Sequence, residues 1–202
     1  MIINIRGTSG SGKTYVVRKF MEHCGLVTHI YDENGKVIAE LCHHDMIPVY
    51  FIGSYVNVCG GCDTISTQDM ACSLVRHFSQ FGHVIFEGLL MSHLYARYAA
   101  LWTELTEFGI PFMFAYMDTP LEICVNRVKK RRLDRGDNRY FNPQNTISHY
   151  DATWKTKEKF DAADMTTTII RYKKDPVHEL SEILSYDVYT EFKDSYREDK
   201  FR

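Results

Sequence analysis

The sequence has no long hydrophobic run: none approaches the roughly 20 residues that a helix needs to cross a bilayer. It opens with a strand-like segment, MIINI, instead of the charged and then apolar pattern of a secretory leader. These two absences predict a protein without membrane contact that works in the cytoplasm.

A large net charge is also missing, because 24 lysines and arginines face 26 aspartates and glutamates over 202 residues. This balance argues against a protein that coats nucleic acid, although it says nothing about a local basic patch. Repeats, low-complexity tracts and linkers are absent too, and the composition is ordinary for a globular protein. We therefore predict a single domain over residues 1–202.

The cysteines do not form a complete set of zinc ligands. Cys59 and Cys62 form a C-G-G-C motif, and the CHHD segment from Cys42 to Asp45 offers further ligands. A structural zinc site usually shows a second tight pair, which this sequence lacks. The spacing leaves open whether Cys59 and Cys62 bind metal, and in the cytoplasm the cysteines should stay reduced.

One segment, RGTSGSGKTYVVRKF at residues 6–20, carries the P-loop pattern G-x-x-x-x-G-K-T. A short strand over 2–5 precedes it and an amphipathic helix over 15–21 follows, which is the context that the motif requires. Such a loop turns backbone N–H groups toward phosphate oxygens at a helix N-terminus. It predicts a nucleoside triphosphate site formed by Gly7, Thr8, Ser9, Gly10, Ser11, Gly12, Lys13 and Thr14.

Within this loop, Lys13 should be a solvent-facing charge that reaches the β- and γ-phosphates, and the Thr14 hydroxyl should ligate Mg²⁺. ATP and Mg²⁺ are thus the expected cofactors. A second Mg²⁺ candidate is Glu87, which ends the apolar segment HVIFEG. At the carboxyl end of a strand, where ligands gather, it would hold the metal or accept a proton. The alternative is an ordinary surface glutamate at a strand end.

Strands and helices alternate along the chain, which predicts an α/β fold with a parallel sheet covered by helices on both faces. Predicted strands include HVIFEG, IPFMFAYM and TTTIIRY, and THIYDENGKVIAEL should form a hairpin-like turn. Helices are expected over 66–81, from about Ser92 to Phe108, from Asp118–Pro120 onward and over 176–185. The polar tail from about Asp187 is either a docked helix or frayed.

The segment NVCGGCDTIS, residues 57–66, places paired glycines before Asp63. The glycines indicate either a close approach of the backbone to a ligand or a tight turn. As a helix cap Asp63 would be structural, and as an active-site carboxylate it would orient or deprotonate the acceptor. The sequence leaves both roles open.

The segment NRVKKRRLDRGDNR, residues 126–139, is rich in arginine and lysine. A solvated helix face is one interpretation. The other is an Arg-rich lid, over about 127–146, whose guanidinium groups stabilise a transferring phosphoryl group. Arg127 and Arg131 lie four residues apart and should share the face toward the triphosphate, with Arg132 contributing charge. Lys129, Lys130 and Arg135 would then be free to meet a DNA backbone.

Taken together, the P-loop, FEG in mid-chain and DTPLEICVNRVKKR before the basic segment resemble P-loop kinases of nucleosides, nucleotides and small metabolites. That resemblance runs from Ile2 to about Tyr172 and implies that lid arginines, at Arg127 and Arg131, contact phosphates. More narrowly, CGGCDTI followed by VIFEGLL resembles bacteriophage P-loop kinases that phosphorylate 5-hydroxymethyluracil in polymerised DNA. No clear D-R or E-x-R motif of deoxynucleoside kinases is present.

The expected reaction is transfer of the ATP γ-phosphoryl group to an acceptor hydroxyl, with Glu87 or Asp63 handling the acceptor proton. The acceptor is either 5-hydroxymethyluracil in DNA or a small molecule such as a deoxynucleoside monophosphate. A non-enzymatic nucleotide switch or ATPase subunit is the third alternative. A DNA acceptor needs aromatic side chains for an unstacked base, and the candidates are Tyr55, Tyr140, Phe141, His149, Tyr150 and Trp154.

Overall fold

The computed structural model describes residues 1–56, 60–137 and 139–185. They contain a seven-stranded sheet in the order β2-β3-β4-β5-β1-β6-β7. The strands are β1 (Ile2–Arg6), β2 (Thr28–Tyr31), β3 (Val37–His44), β4 (Ile47–Ile52), β5 (His83–Glu87), β6 (Phe112–Met117) and β7 (Thr167–Ile170).

The strands from β4 to β7 along the sheet are parallel, whereas β2, β3 and β4 pair antiparallel. The parallel part follows from the strongly apolar β1, β5 and β6, which are buried along their whole length. The antiparallel extension begins at the predicted Asp-Glu-Asn-Gly turn, where Asp32 accepts hydrogen bonds from the amides of Asn34 and Lys36.

The helices are α1 (Lys13–Cys24), α2 (Gln68–Phe78), α3 (Ala96–Glu107), α4 (Leu121–Asp134), α5 (Gln144–Ala162) and α6, helical over residues 176–185. Two core clusters lie on the two faces of the sheet. Side chains of α2, α3 and α5 belong to one cluster, and side chains of α1 and α6 belong to the other. The prediction of a parallel sheet covered by helices on both faces is confirmed for β4 to β7, and the antiparallel β2 and β3 extend this sheet.

The helix predicted from about Ser92 starts later than expected, at Ala96. Ser92 instead lies in a short 3₁₀ turn, Leu90–His93, and its hydroxyl donates to the Gly88 carbonyl at 2.7 Å. The same oxygen accepts the Gly7 N–H at 3.2 Å. These two bonds connect the P-loop to the end of β5 and explain why the chain does not yet enter the helix.

Helix α5 is absent from the sequence prediction, which treated residues up to 146 as a lid. The segment 127–146 instead comprises most of α4, an irregular connection and the first residues of α5. A lid function for this segment stays a prediction, as does a single domain over 1–202. The tail from about Asp187 lies outside the described residues. Among the described helices, none has the length and apolar character of a membrane span.

Candidate active site

The P-loop joins the end of β1 to α1 and is held against α4. Gly10 has a φ of +81°, and a Cβ on it would lie 2.4 Å from the Cys124 carbonyl oxygen of α4. Thr119, just before α4, donates to the Ser11 carbonyl at 2.6 Å. Only glycine permits both this backbone conformation and this approach at position 10. The basic helix α4 is therefore anchored directly to the loop.

The loop lines a cavity of about 530 Å³ that also receives side chains from four other parts of the chain. Helix α1 begins at its edge, so the unpaired N–H groups of the first turn and the positive end of the helix dipole face it. The lining residues are Ser9, Gly10, Gly12, Lys13, Thr14, Tyr15, Arg18, Asp63, Glu87, Leu89, Arg127 and Arg131.

Lys13 lines this cavity, but it is not the solvent-facing charge that we expected. Its side chain is buried, and Nζ donates to the carbonyl oxygens of Gly7 at 2.7 Å and Thr8 at 3.3 Å. Burial lowers the pKa of Lys13, and the nearby Glu87 carboxylate opposes that shift. The loop thus encloses its own lysine and holds the ammonium group through these two carbonyls.

Glu87 lies at the end of β5, beside Thr14 as the metal prediction requires. The Thr14 hydroxyl donates to Glu87 Oε1 at 2.7 Å, and the Glu87 side chain is only 1% exposed. Burial raises the Glu87 pKa to about 7, against the lowering effect of Lys13 and of the Thr14 hydrogen bond. Glu87 is therefore not an ordinary surface glutamate, and a cation at this position would favour its ionised form.

Asp63 is exposed and faces the cavity from the 3₁₀ turn Cys62–Thr64. Its carboxylate accepts the Leu89 N–H, at 2.9 Å for Oδ1 and 3.2 Å for Oδ2. Thr67, not Asp63, caps the following helix α2 by accepting the Met70 N–H. Asp63 thus belongs to the cavity, and no helix cap explains its position.

Arg127 and Arg131 both reach the cavity from α4, as expected from their spacing of four residues. Arg127 Nη1 also donates to the Gly10 carbonyl at 3.2 Å. Arg132 is outside the lining: its guanidinium pairs with Asp137 at 2.8 Å and lies over the Phe141 ring. A phosphate-binding role for Arg132 stays a prediction. In this structure its guanidinium is already paired with Asp137.

Three predicted loop residues lie behind the cavity surface. Thr8 is buried and donates to the Thr146 carbonyl of α5 at 3.1 Å. Gly7 donates its N–H to Ser92, and the Ser11 carbonyl accepts from Thr119. These residues shape and fix the loop, and their contact with phosphates stays a prediction.

The aromatic candidates for base stacking do not line this cavity. Tyr55 is buried, and Trp154 stacks on Tyr116 at a ring distance of 6.1 Å. Tyr150 and Trp154 line a separate surface cavity on α5, and Tyr140 is exposed. An acceptor base therefore has no prepared aromatic cage within the described part of the cavity.

The zinc hypothesis concerns Cys59, which lies outside the described residues. Cys62 is buried, and its thiol lies 3.8 Å from the Ile52 carbonyl oxygen. In the described ranges, the one cluster with ligand atoms close enough for a metal ion is formed by His178, Glu179 and Glu182, far from the C-G-G-C motif in sequence.

Sequence reasoning missed Tyr15, Arg18 and Leu89 as cavity residues. Arg18 follows Thr14 by four residues on α1, so helical spacing alone would have placed it on the same face. Its guanidinium donates twice to the Tyr55 carbonyl, at 2.7 and 3.1 Å. Leu89 follows FEG directly, and its N–H fixes Asp63. No comparable spacing signal points to it.

The rest of the basic segment lies outside the cavity, as expected. Lys129, Lys130 and Arg135 are exposed and do not line it. The helix thus divides its cations between the cavity, through Arg127 and Arg131, and the outer surface.

Comparison with known proteins supplies the family. The chain is 37% identical over 166 residues to the "5-hmdU DNA kinase" of Pseudomonas phage PaMx11, covering 80% of this chain and 86% of that protein. It is 32% identical over 139 residues to the "5-hmdU DNA kinase" of Pseudomonas phage M6, covering 64% and 71% of the two chains.

No protein-family model matches the chain. Shikimate kinase from Acinetobacter baumannii has a similar structure over 94% of this chain and 93% of its own, but at 13% identity and a TM-score of 0.46. That structural similarity is too low to bear on function. The two phage relatives and the P-loop cavity agree, and the chain belongs to the 5-hmdU DNA kinases and is a phosphotransferase.

Proposed function

We propose that the protein transfers the γ-phosphoryl group of ATP to the hydroxymethyl group of 5-hydroxymethyluracil in phage DNA, in the cytoplasm of the infected host. The observation that carries this proposal is the meeting of Lys13, Thr14, Glu87, Asp63 and two arginines around one cavity. Phosphoryl transfer needs positioning and electrostatic stabilisation more than covalent chemistry, and this set supplies both.

On the nucleotide side, the loop amides and Lys13 would hold the β- and γ-phosphates. Arg127 and Arg131 reach the same cavity from α4 and would stabilise the charge that spreads over the transferring group. Arg127 is already fixed to the loop through the Gly10 carbonyl. Its guanidinium therefore needs little reorganisation before the reaction.

Thr14 at the start of α1 and Glu87 at the end of β5 together fit Mg²⁺. Thr14 Oγ1 and Glu87 Oε1 are 2.7 Å apart, and both are the hard oxygen ligands that this ion prefers. When bound, Mg²⁺ would neutralise charge on the β- and γ-phosphates. The buried Glu87 carboxylate, whose pKa is raised by burial, would be held ionised by such a cation.

On the acceptor side, we assign to Asp63 the role of accepting the proton of the substrate hydroxyl. It is exposed to the cavity, whereas Glu87 is buried and already bonded to Thr14. The Leu89 N–H fixes the orientation of the Asp63 carboxylate. A substrate hydroxyl beside Asp63 would give up its proton to this group as it attacks the γ-phosphorus.

A polymeric acceptor is favoured over a free nucleotide by the outer face of α4. The exposed Lys129 and Lys130, with Arg135 at the helix end, offer positive charge outside the cavity, where a DNA backbone would pass. The names of the two phage relatives also specify DNA.

The test is transfer of label from γ-³²P-ATP to a DNA duplex that contains 5-hydroxymethyluracil. A duplex of the same sequence with thymine in its place is the matched acceptor control, and α-³²P-ATP controls for transfer of other parts of the nucleotide. We expect label on the hydroxymethyl duplex with γ-³²P-ATP, and no label on the thymine duplex or with α-³²P-ATP. Equal labelling of the thymine duplex would overturn the assignment of the acceptor hydroxyl.

A further inference from the structure

The Tyr55 hydroxyl is a buried polar group without a hydrogen-bond partner among the described residues. Tyr55 is 5% exposed, and its ring packs edge-on against Phe51 at 6.2 Å. A buried hydroxyl without a partner costs free energy, so such a group calls for an explanation.

The hydroxyl lies next to Glu87, in a gap that a glycine keeps open. A Cβ on Gly61 would lie 3.0 Å from the Tyr55 hydroxyl oxygen and 2.9 Å from Glu87 Oε1. It would also lie 2.6 Å from the Glu87 carbonyl oxygen. The two side-chain oxygens therefore border the same small gap, and any residue but glycine at position 61 would fill it.

The backbone of Tyr55 is fixed on both sides, so its ring cannot easily turn elsewhere. Its N–H donates to the buried Glu40 carboxylate at 2.6 Å. Its carbonyl accepts both hydrogen bonds of Arg18, which lines the cavity from α1. The position of the hydroxyl is thus set by Glu40 and by Arg18, of which Arg18 also lines the nucleotide site.

Glu87 Oε1 has one donor in this arrangement, the Thr14 hydroxyl. The Thr14 hydroxyl can keep this bond while a lone pair of its oxygen ligates Mg²⁺, so the carboxylate still has room for a further donor. A carboxylate can accept several hydrogen bonds, and a phenol at neutral pH is a donor. Tyr55 is a donor that borders this gap and has no partner among the described residues.

We propose that Tyr55 is a positioning residue for Glu87: its hydroxyl donates to the carboxylate in the Mg²⁺–nucleotide state and adds a second hydrogen bond to the one from Thr14. The inference rests on the proposed function, since it needs a metal at Thr14 and Glu87. It also explains the glycine at position 61, because Gly61 keeps the space between the two oxygens free.

The test compares Tyr55→Phe with Tyr98→Phe, a matched loss of a hydroxyl from a residue that does not line the cavity. Tyr98 donates to Gln68 Oε1 at 2.5 Å, so its hydroxyl is partnered. In the absence of metal and nucleotide, we expect Tyr55→Phe to melt at or above the wild-type temperature and Tyr98→Phe to melt below it. A partnerless hydroxyl contributes nothing to the free protein, whereas a partnered one does.

With Mg²⁺ and a non-hydrolysable ATP analogue, Tyr55→Phe and not Tyr98→Phe should be the impaired variant. We expect the ligand-induced rise in melting temperature to shrink in Tyr55→Phe and the Mg²⁺ concentration for half-saturation to increase roughly tenfold, the effect of losing one hydrogen bond to a charged group. Tyr98→Phe should bind as wild type does.

Two results would overturn the proposal: wild-type Mg²⁺ and analogue binding in Tyr55→Phe, or a loss of stability in the free variant as large as that of Tyr98→Phe. If instead the wild-type protein shows no stabilisation by Mg²⁺ and analogue, the nucleotide site itself fails. The two failures are therefore distinguishable in one experiment.

Discussion

Thr14 and Glu87 are 73 residues apart in sequence, yet the hydroxyl of one donates to the carboxylate of the other at 2.7 Å. The parallel pairing of β1 and β5 brings them together, since Ile5 lies opposite Glu87 in the ladder. The carboxyl ends of adjacent parallel strands meet at one edge of the sheet, which is where ligands gather in such folds.

Replacing Glu87 by Gln should impair ATP hydrolysis and acceptor phosphorylation alike, and should raise the Mg²⁺ concentration needed for half-maximal rate. Gln keeps an acceptor for Thr14 but removes the charge that would hold the metal. We expect a loss on the order of 10²-fold in rate. Glu104→Gln, which removes a half-exposed partner of Arg76, is the control. Unchanged Mg²⁺ dependence in Glu87→Gln would contradict the metal assignment.

In the nucleotide-free and metal-free protein, the contribution of Glu87 to stability should fall as the pH rises from 4.5 to about 7. Burial raises the Glu87 pKa from 4.5 to about 7, so in this range the folded state keeps a proton that the unfolded chain has released. The folded state is therefore penalised progressively, by about 3 kcal/mol once the pH exceeds 7. Below pH 4.5 the penalty is absent.

Chemical denaturation of the wild type and of Glu87→Gln at pH 5 and pH 8 measures this effect. The variant cannot ionise at position 87, so its stability relative to the wild type should increase between the two pH values. Glu104→Gln should show no such increase. A difference between wild type and Glu87→Gln that stays constant from pH 5 to pH 8 would show that the folded Glu87 titrates normally.

Lys13→Ala should lower the rate of phosphoryl transfer by about 10²–10³-fold while leaving the secondary structure intact. The ammonium group is fixed by the Gly7 and Thr8 carbonyls, but Lys13 belongs to neither core cluster. Lys19→Ala removes an exposed lysine from the same helix and should behave as wild type. Near-wild-type transfer by Lys13→Ala, with circular dichroism unchanged, would defeat the P-loop assignment.

Asp63→Asn should reduce acceptor phosphorylation far more than ATP binding. Asn keeps an oxygen for the Leu89 N–H but cannot take the acceptor proton. The measurement is a pair of constants, kcat for the acceptor and Kd for ATP, because only the first should change. If both stay at wild-type values, the proton acceptor lies elsewhere.

Neutralising Lys129, Lys130 and Arg135 to Gln should leave ATP affinity nearly unchanged but weaken DNA binding regardless of sequence. Each lost phosphate contact should flatten the slope of log affinity against log salt by about 0.7–0.9. A triple variant of Lys36, Lys173 and Lys174, exposed lysines elsewhere, loses the same charge and serves as the control. Equal effects of both triple variants on DNA binding would show that the loss of net charge, and not the position of these cations on α4, weakens binding.

The parts of the fold that the sequence predicts well are those with a strong local pattern. The P-loop motif fixed the order β1, loop and α1, and the apolar runs of β5 and β6 identified strands buried on both faces. Spacing of four residues correctly placed Arg127 and Arg131 on the cavity side of α4.

Helix α5 shows why the rest was not predictable. Its buried residues are Thr146, Thr153, Thr156 and Phe160, so the face toward the core is mostly threonine and gives no apolar period. Two of these threonines have hydroxyl partners: Thr153 donates to the His149 carbonyl one turn back on the same helix, and Thr156 donates to the Ser92 carbonyl outside it. The Ser92 partner is set by tertiary structure and leaves no trace in local sequence.

The same limit applies to the site. Lys13 was expected in solvent, because a motif specifies which residue meets phosphate but not how deeply the loop encloses it. The contacts of Asp63 with Leu89 and of Tyr55 with the gap beside Glu87 join segments about 25 to 35 residues apart. Strand pairing, not spacing, creates these contacts.

The measurement that tests the central claim most directly is the ratio of initial rates on polymer and monomer. Duplex DNA containing 5-hydroxymethyluracil and free hydroxymethyl-dUMP are offered at equal concentrations of the same base, with γ-³²P-ATP at low salt. We predict rapid labelling of the polymer and little labelling of the nucleotide, with the polymer rate falling as salt is raised. Rapid phosphorylation of hydroxymethyl-dUMP without labelling of the polymer would contradict the account and identify a small-molecule kinase.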